Sequence, residues 1–275
     1  MQPRSFSRTA LGVAIQRAAH QTLDDGAIFH DPFARAILGK EADALIASHA
    51  TEENRHLRWF VAVRARFAED SLAAAVTRNV RQVVVLGAGL DTFALRNPHA
   101  DLAVFEVDHP ASQEFKRERL SAAGLQAPAL RFAPVDFETQ QLSEGLQAAG
   151  FDHRRPAFFV WLGVVPYLSR EAILGTLDFL ATLPDAELVL DYSEPLESYP
   201  PAARARVERL RERAAALGEP WLSHFAPEEL AGLLKARGFT EIEDLGPAEI
   251  GDRYLGQPGQ EHRAGPHVLR ARKNA

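Results

Sequence analysis

The chain has 275 residues, 46% hydrophobic and 25% charged, with a net charge of −6 and a pI of about 5.9. Those proportions suit a soluble globular protein, and the acidic balance argues against nucleic acid as a partner. With no cysteine, disulfides and thiolate zinc sites are excluded; the ten scattered His offer no helical metal pair, and no apolar run approaches the roughly 20 residues of a membrane span.

The N-terminus, from Met1 to Ser7, lacks the apolar core of a signal peptide, so a cytoplasmic protein is expected. Residues 1–80 read as a helical extension. Ser7 caps a helix carrying Leu11, Ala14, Ile15 and Ala18 on one face. Asp31-Pro32-Phe33 predicts a short capped helix closed by Gly39, and a longer helix spans about 54–75. Arg64 and Arg66 lie within that longer helix, where the ordinary expectation for either is a solvated charge.

From residue 80 the pattern alternates strand and helix. Gln82-Val83-Val84-Val85-Leu86 is a short β-branched run ending at Gly87-Ala88-Gly89, as a buried parallel strand entering a tight turn would. A second strand over 102–108 ends in Glu106 and Asp108, 19 and 21 residues past Gly87. Acids at that distance suit the two hydroxyls of a ribose. Thr92 stands where a third dinucleotide-fingerprint glycine would fall, and no P-loop motif occurs. The grammar therefore fits a mononucleoside cofactor without a phosphate.

Further elements follow in order: a helix over 112–123, a strand over 130–137 ending near Asp136, a helix over 142–149 and a strand over 157–163. Ser169 caps the next helix, and a fifth strand covers 187–192. Residues 195–225 break the alternation with a charged helix between Pro200-Pro201 and Gly218, read as a lid over the carboxyl edge of the sheet. A helix from Pro227 to Gly238 and strands over 240–245 and 268–272 finish the chain. The Gly/Pro-rich 246–266 reads as a long hairpin or flexible loop. The expectation is one α/β domain over 1–275. Its sheet has seven strands with the last antiparallel and helices on both faces; the core covers 81–194 and 226–275.

Ser7-Arg8-Thr9-Ala10-Leu11, Arg17-Ala18, Asp31-Pro32-Phe33-Ala34, Val63-Arg64-Ala65-Arg66-Phe67, Gly87-Ala88-Gly89-Leu90-Asp91-Thr92 and Glu106-Val107-Asp108-His109-Pro110 occur in this order. Val135-Asp136-Phe137, Pro166-Tyr167-Leu168 and Gly218-Glu219-Pro220-Trp221 follow. Together they resemble the leucine carboxyl methyltransferase-like family, in its bacterial branch that includes polyketide O-methyltransferases, over nearly the whole chain. The resemblance implies a Rossmann-like methyltransferase fold and S-adenosyl-L-methionine (SAM) as cofactor. It implies that Arg64 pairs with the methionine carboxylate, that Gly87 and Gly89 lie under the cofactor, that Asp108 holds the ribose, and that Asp136 with Phe137 meets the adenine. Glu106 shares the ribose role or anchors a neighbouring helix. Arg8, Arg17 and Asp91 build the floor or serve as ordinary caps and ion pairs. Many relatives carry Glu-Gly where this chain has Leu162-Gly163, so the contact with the cofactor's amino group falls here to a backbone carbonyl or another side chain.

A small-molecule acceptor is expected, either a carboxylate, already ionised at neutral pH, or a hydroxyl. A phenol, with a pKa near 10, gains from a base. Candidate bases are His224, Asp191 and Tyr192. Trp161, Tyr167, Trp221 and Phe225 form either an apolar acceptor pocket or plain core. A nicotinamide-dependent oxidoreductase and a non-catalytic SAM-binding regulator are the rival readings.

Overall fold

A computed structural model describes residues 6–259 and 263–273. The first five residues, part of the stretch on which the signal-peptide expectation rests, lie outside it. Five strands run parallel: β1 (Gln82–Leu86), β2 (Ala103–Asp108), β3 (Leu130–Pro134), β4 (Ala157–Trp161) and β5 (Ala186–Ser193). β6 (Glu241–Leu245) runs the same way, and β7 (Pro266–Lys273) lies between β5 and β6, antiparallel to both, giving the order β3-β2-β1-β4-β5-β7-β6. The order reverses between β1 and β4. In an open sheet of this kind, ligands sit beyond the carboxyl ends of the strands at such a reversal.

The central strands are buried on both sides, which is why they read as continuous Val/Leu/Phe runs. One face packs Leu86, Phe105, Phe159, Trp161 and Leu190 against α6 (Leu142–Ala148), α7 (Arg170–Thr182) and α9 (Pro227–Lys235). The other packs Val83, Val104, Phe158, Val189 and Val268 against α3 (Glu52–Thr77), Phe93 of the short α4 (Phe93–Arg96) and α10 (Pro247–Tyr254). A third core joins α1 (Arg8–Leu23) and α2 (Ala42–His49) to Leu120 of α5 (Pro110–Ala122). Helix α8 (Pro201–Ala216), in the segment expected to be a lid, buries only Ala214.

Several expectations need correction. Asp31 caps a turn by accepting the Phe33 N–H at 3.1 Å, and the segment becomes a 3₁₀ helix, Ala36–Glu41, broken at Gly39 (φ 73°), where the expected stop falls. The third and fourth strands stop at Pro134 and Trp161, so Asp136, Phe137 and Leu162 stand on the loops beyond. The supposed hairpin at 246–266 contains α10, started by Pro247 at its first position and held by Ile250 in the core. Residues 260–262 of that stretch lie outside the described ones.

Candidate active site

The strand tips bring together what the sequence scatters. Gly87 (φ 62°) and Gly89 (φ 48°) take the left-handed region that a side chain disfavours. A Cβ on Gly89 would stand 2.8 Å from Ala10, and one on Gly87 only 2.3 Å from Val164. The first turn of α1 and the loop after β4 therefore close over the β1 turn. Asp108 ends β2 beneath it, accepting the Gly89 N–H at 2.6 Å and the His109 N–H at 2.7 Å. Burial pushes the Asp108 carboxyl up, against the pull of those amides and of Lys116.

Under the turn lies a buried charge network. Arg17 donates to Asp91 (2.9 Å) and to the Leu90 carbonyl (2.5 Å). Burial pushes Asp91 up, but Arg17, Lys116 and Arg96 outweigh it and hold the carboxyl below its usual range. Thr92, in place of a third glycine, donates to Asp31 at 2.5 Å. Glu106 is 1% exposed and paired with Lys116 of α5 at 2.5 Å. Burial drives its carboxyl up to about 7, with Lys116 opposing and Asp91 adding to the rise. It therefore anchors α5 and does not face the rim, which corrects the ribose assignment.

On the other side of the reversal, Arg64 reaches the rim from α3. Its Nη1 donates to Asp191 Oδ2 at 2.7 Å, both side chains being buried. Asp191 Oδ1 accepts the Gly163 N–H at 2.5 Å. Gly163 (φ 73°) leaves the space the guanidinium fills, since a Cβ there would stand 2.7 Å from Arg64 Nη2. Arg66 pairs with Asp70 on the surface (2.8 Å). Asp136 and Phe137 occupy the loop after β3, Asp136 Oδ1 accepting the Glu138 N–H and Phe137 packing partly against the core.

The two-residue period of strands decides the remaining candidates. Leu162 and Asp191 fall on the α3 side of the sheet, so Trp161 and Tyr192 point to the opposite side. Trp161 is fully buried in the α6–α7–α9 core and lines no acceptor pocket. Tyr192 donates to Asp244 at 2.6 Å and stacks on His267, which removes it as a base. Phe225 is fully buried, its own N–H tied to Ser193. His224 is exposed and lines a narrow cleft with Glu194, Arg211 and Trp221. Asp191 itself is engaged twice, so it holds Arg64 and the Gly163 loop and is no free base.

Of the proposed acceptor wall, Tyr167 and Trp221 do meet, edge to face at 6.4 Å. Burial raises the Tyr167 hydroxyl, with Arg64 close enough to pull against it. The segment carrying Trp221 is stitched to the loop after β4 by Leu222 N–H to Pro166 O (2.6 Å) and Ser223 Oγ to Leu168 O (2.7 Å). Sequence reasoning missed Glu219. Its carboxylate accepts from Ser7 Oγ (2.9 Å), the Arg8 N–H (2.8 Å) and Thr9, capping α1 from the lid side. The signal was its place in the Gly218-Glu219-Pro220-Trp221 motif, to which no role for the carboxylate was attached. A cavity of 530 Å³ between α6 and α7, lined by Gln147, Phe151, Asp178 and Phe179, carries none of these groups.

A family model described as leucine carboxyl methyltransferase matches residues 10–181. The chain belongs to that family. A relative from Bacillus subtilis (strain 168), described as the S-adenosyl-L-methionine-dependent methyltransferase YktD, is 32% identical and covers 93% of each chain. One from Mycobacterium avium (strain 104), with the same description, is 36% identical over 78% of this chain and 74% of its own. Among solved structures, the CurJ carbon methyltransferase shares the fold, with a TM-score of 0.53 at 16% identity, covering 97% of this chain and 67% of that one. The protein is a SAM-dependent methyltransferase, which displaces both the oxidoreductase and the non-catalytic reading. Its rim fits that cofactor by chemistry. The Gly89 amide that a pyrophosphate would use already holds a carboxylate, Asp108, which would repel a phosphate but can accept from hydroxyls.

Proposed function

We propose that this methyltransferase makes O-methyl products from small organic acceptors, with a carboxylate as the favoured acceptor. The observation behind this is the engagement of Asp191, whose two oxygens accept from Arg64 and Gly163, while Tyr192 faces the opposite side of the sheet and donates to Asp244. A site whose two strand-borne base candidates are held by such partners suits an acceptor that is already ionised. The family description, with its carboxyl acceptor, agrees.

Arg64 would take the methionine carboxylate, a fork well matched to that group. Gly87 and Gly89 would underlie the cofactor, Asp108 would accept from the ribose hydroxyls, and Asp136 with Phe137 would meet the adenine. When bound, SAM supplies an electrophilic methyl group on a sulfonium. The chain's own work is then alignment and exclusion of water, the kind of positioning for which effective molarities reach about 10⁵ M or more. Tyr167 and Trp221 would flank the acceptor beneath the lid segment. A small-molecule partner in the cytoplasm, with neither nucleic acid nor membrane involved, completes the reading.

The test is methyl transfer from labelled SAM to a panel of carboxylic acids and phenols, with the product then treated with mild base. A methyl ester releases labelled methanol and an aryl methyl ether does not. Base-labile product is expected. Ether product would move the acceptor to a hydroxyl, and transfer confined to nitrogen or carbon would overturn O-methylation.

A further inference from the structure

We infer that Arg64 and Asp191 act together as a receptor for a zwitterion, Asp191 taking the ammonium of the cofactor's amino-acid end while Arg64 takes its carboxylate. This rests on the cofactor placement proposed above. An α-amino acid carries opposite charges on neighbouring atoms, so its receptor needs opposite charges side by side. The rim offers this arrangement where α3, the tip of β4 and the tip of β5 meet.

Four other carboxylates at or beneath the rim have different tasks. Asp91 is bound to Arg17, Glu106 to Lys116, Asp108 to the Gly89 and His109 amides, and Glu219 to the first turn of α1. Asp191 alone among these pairs with Arg64, at 2.7 Å. A carboxylate has about four acceptor positions, and Arg64 and the Gly163 N–H use two, so Asp191 can still accept from an ammonium. Arg64 likewise has five N–H donors, one of them spent on Asp191.

A purely structural account of the pair is weak. A buried ion pair roughly breaks even against apolar residues of the same volume, so tying α3 to β5 does not call for charge. Gly163 adds to the case: its left-handed backbone turns the loop so that its N–H fixes Asp191 and its missing side chain admits the guanidinium. The loop is shaped around both charges at once. In this reading Asp191 is a cofactor-binding residue and not a base.

Calorimetry with three ligands on two proteins tests it. The ligands are S-adenosylhomocysteine, its analogue lacking the amino group, and methylthioadenosine, which lacks the whole amino-acid end. The wild type should lose at least about tenfold in affinity when the amino group is removed. D191N should bind S-adenosylhomocysteine at least about tenfold more weakly than the wild type, yet be indifferent to removal of the amino group. Methylthioadenosine should bind both proteins within about twofold. Equal wild-type affinity for the first two ligands overturns the inference without needing the variant, so failure of D191N to fold would not shield it. If D191N weakens methylthioadenosine as much as S-adenosylhomocysteine, Asp191 is a structural tie and the inference falls while the cofactor placement stands. If the wild type holds none of the three, the placement itself fails.

Discussion

At the scale of single residues, neighbouring carboxylates on one strand have separate tasks. Asp108 ends β2 at the rim, whereas Glu106, two positions earlier, is sealed against Lys116. Asp108→Ala should weaken S-adenosylhomocysteine by about 1.5–3 kcal/mol, the range for hydrogen bonds to a charged group, as calorimetry can read. It should also cost about 1 kcal/mol of stability, because two loop amides lose their acceptor. Glu106→Gln should do the reverse. With Lys116 left charged and buried, urea unfolding should show a loss of about 3 kcal/mol while affinity per folded molecule stays within threefold. A Glu106→Gln protein of normal stability and poor affinity would restore the ribose role. The sequence could mark both acids as lying at the right distance, and strand parity even put them on one side. It gave no sign of which one a lysine on the next helix would claim. Parity was also enough to separate Trp161 from Leu162 and Tyr192 from Asp191, since adjacent strand residues cannot share a face.

Among elements, the antiparallel edge is bound by charge as well as by its ladder. His267 of β7 lies between Asp244 of β6 (3.0 Å) and Glu194 just past β5 (3.1 Å), stacked on Tyr192. Glu194 also accepts the Gly265 N–H at 3.0 Å. Burial lowers the His267 imidazole, but Asp244 and Glu194 outweigh it and the net shift is upward. A raised folded value means that the stabilisation is fully present below the ordinary histidine range, near 6.5. It is lost as pH rises through the folded value. His267→Gln should therefore cost on the order of 2 kcal/mol at pH 6 by urea unfolding, with the deficit narrowing toward pH 9. A deficit that stays constant over that interval would mean a neutral imidazole. None of this was visible in the sequence, where these residues are up to 75 positions apart; β5, β6 and β7 were legible only as strands. The alternating units were legible because each β-branched run is closed by Gly, Pro or a cap such as Ser169, whose side chain accepts the Ala172 N–H. The helix α10 was not, because Gly246, Pro247 and Gly251 mark a loop as readily as a helix beginning at proline.

For the molecule as a whole, the helical extension and the expected lid, residues 195–225, are joined through carboxylates at two ends. At one end Glu53 of α3 meets Arg209 and Arg213 of α8 at the surface. Such exposed pairs contribute little. At the other end Glu219 caps α1 through the Arg8 and Thr9 amides and the Ser7 and Thr9 hydroxyls, and the next residue of α1, Ala10, lies on Gly89. A carboxylate at a helix N-terminus gains from both the free amides and the helix dipole. Glu219 is therefore the stronger latch, and it sits two residues from Trp221. Trp221→Ala, which removes one side of the aromatic pair with Tyr167, should lower methyl transfer and leave S-adenosylhomocysteine within about threefold, or roughly 0.7 kcal/mol. Glu219→Ala should act on the cover as a unit. Loss of the cap costs about 1 kcal/mol, so amide exchange should speed up roughly fivefold in residues 8–12 and, in the same experiment, in 219–225. Transfer should fall with it, because a cover that opens more often admits water to the aligned pair. Faster exchange in α1 alone would mean that Glu219 is an ordinary helix cap and that the lid is held elsewhere, by Pro166 and Leu168.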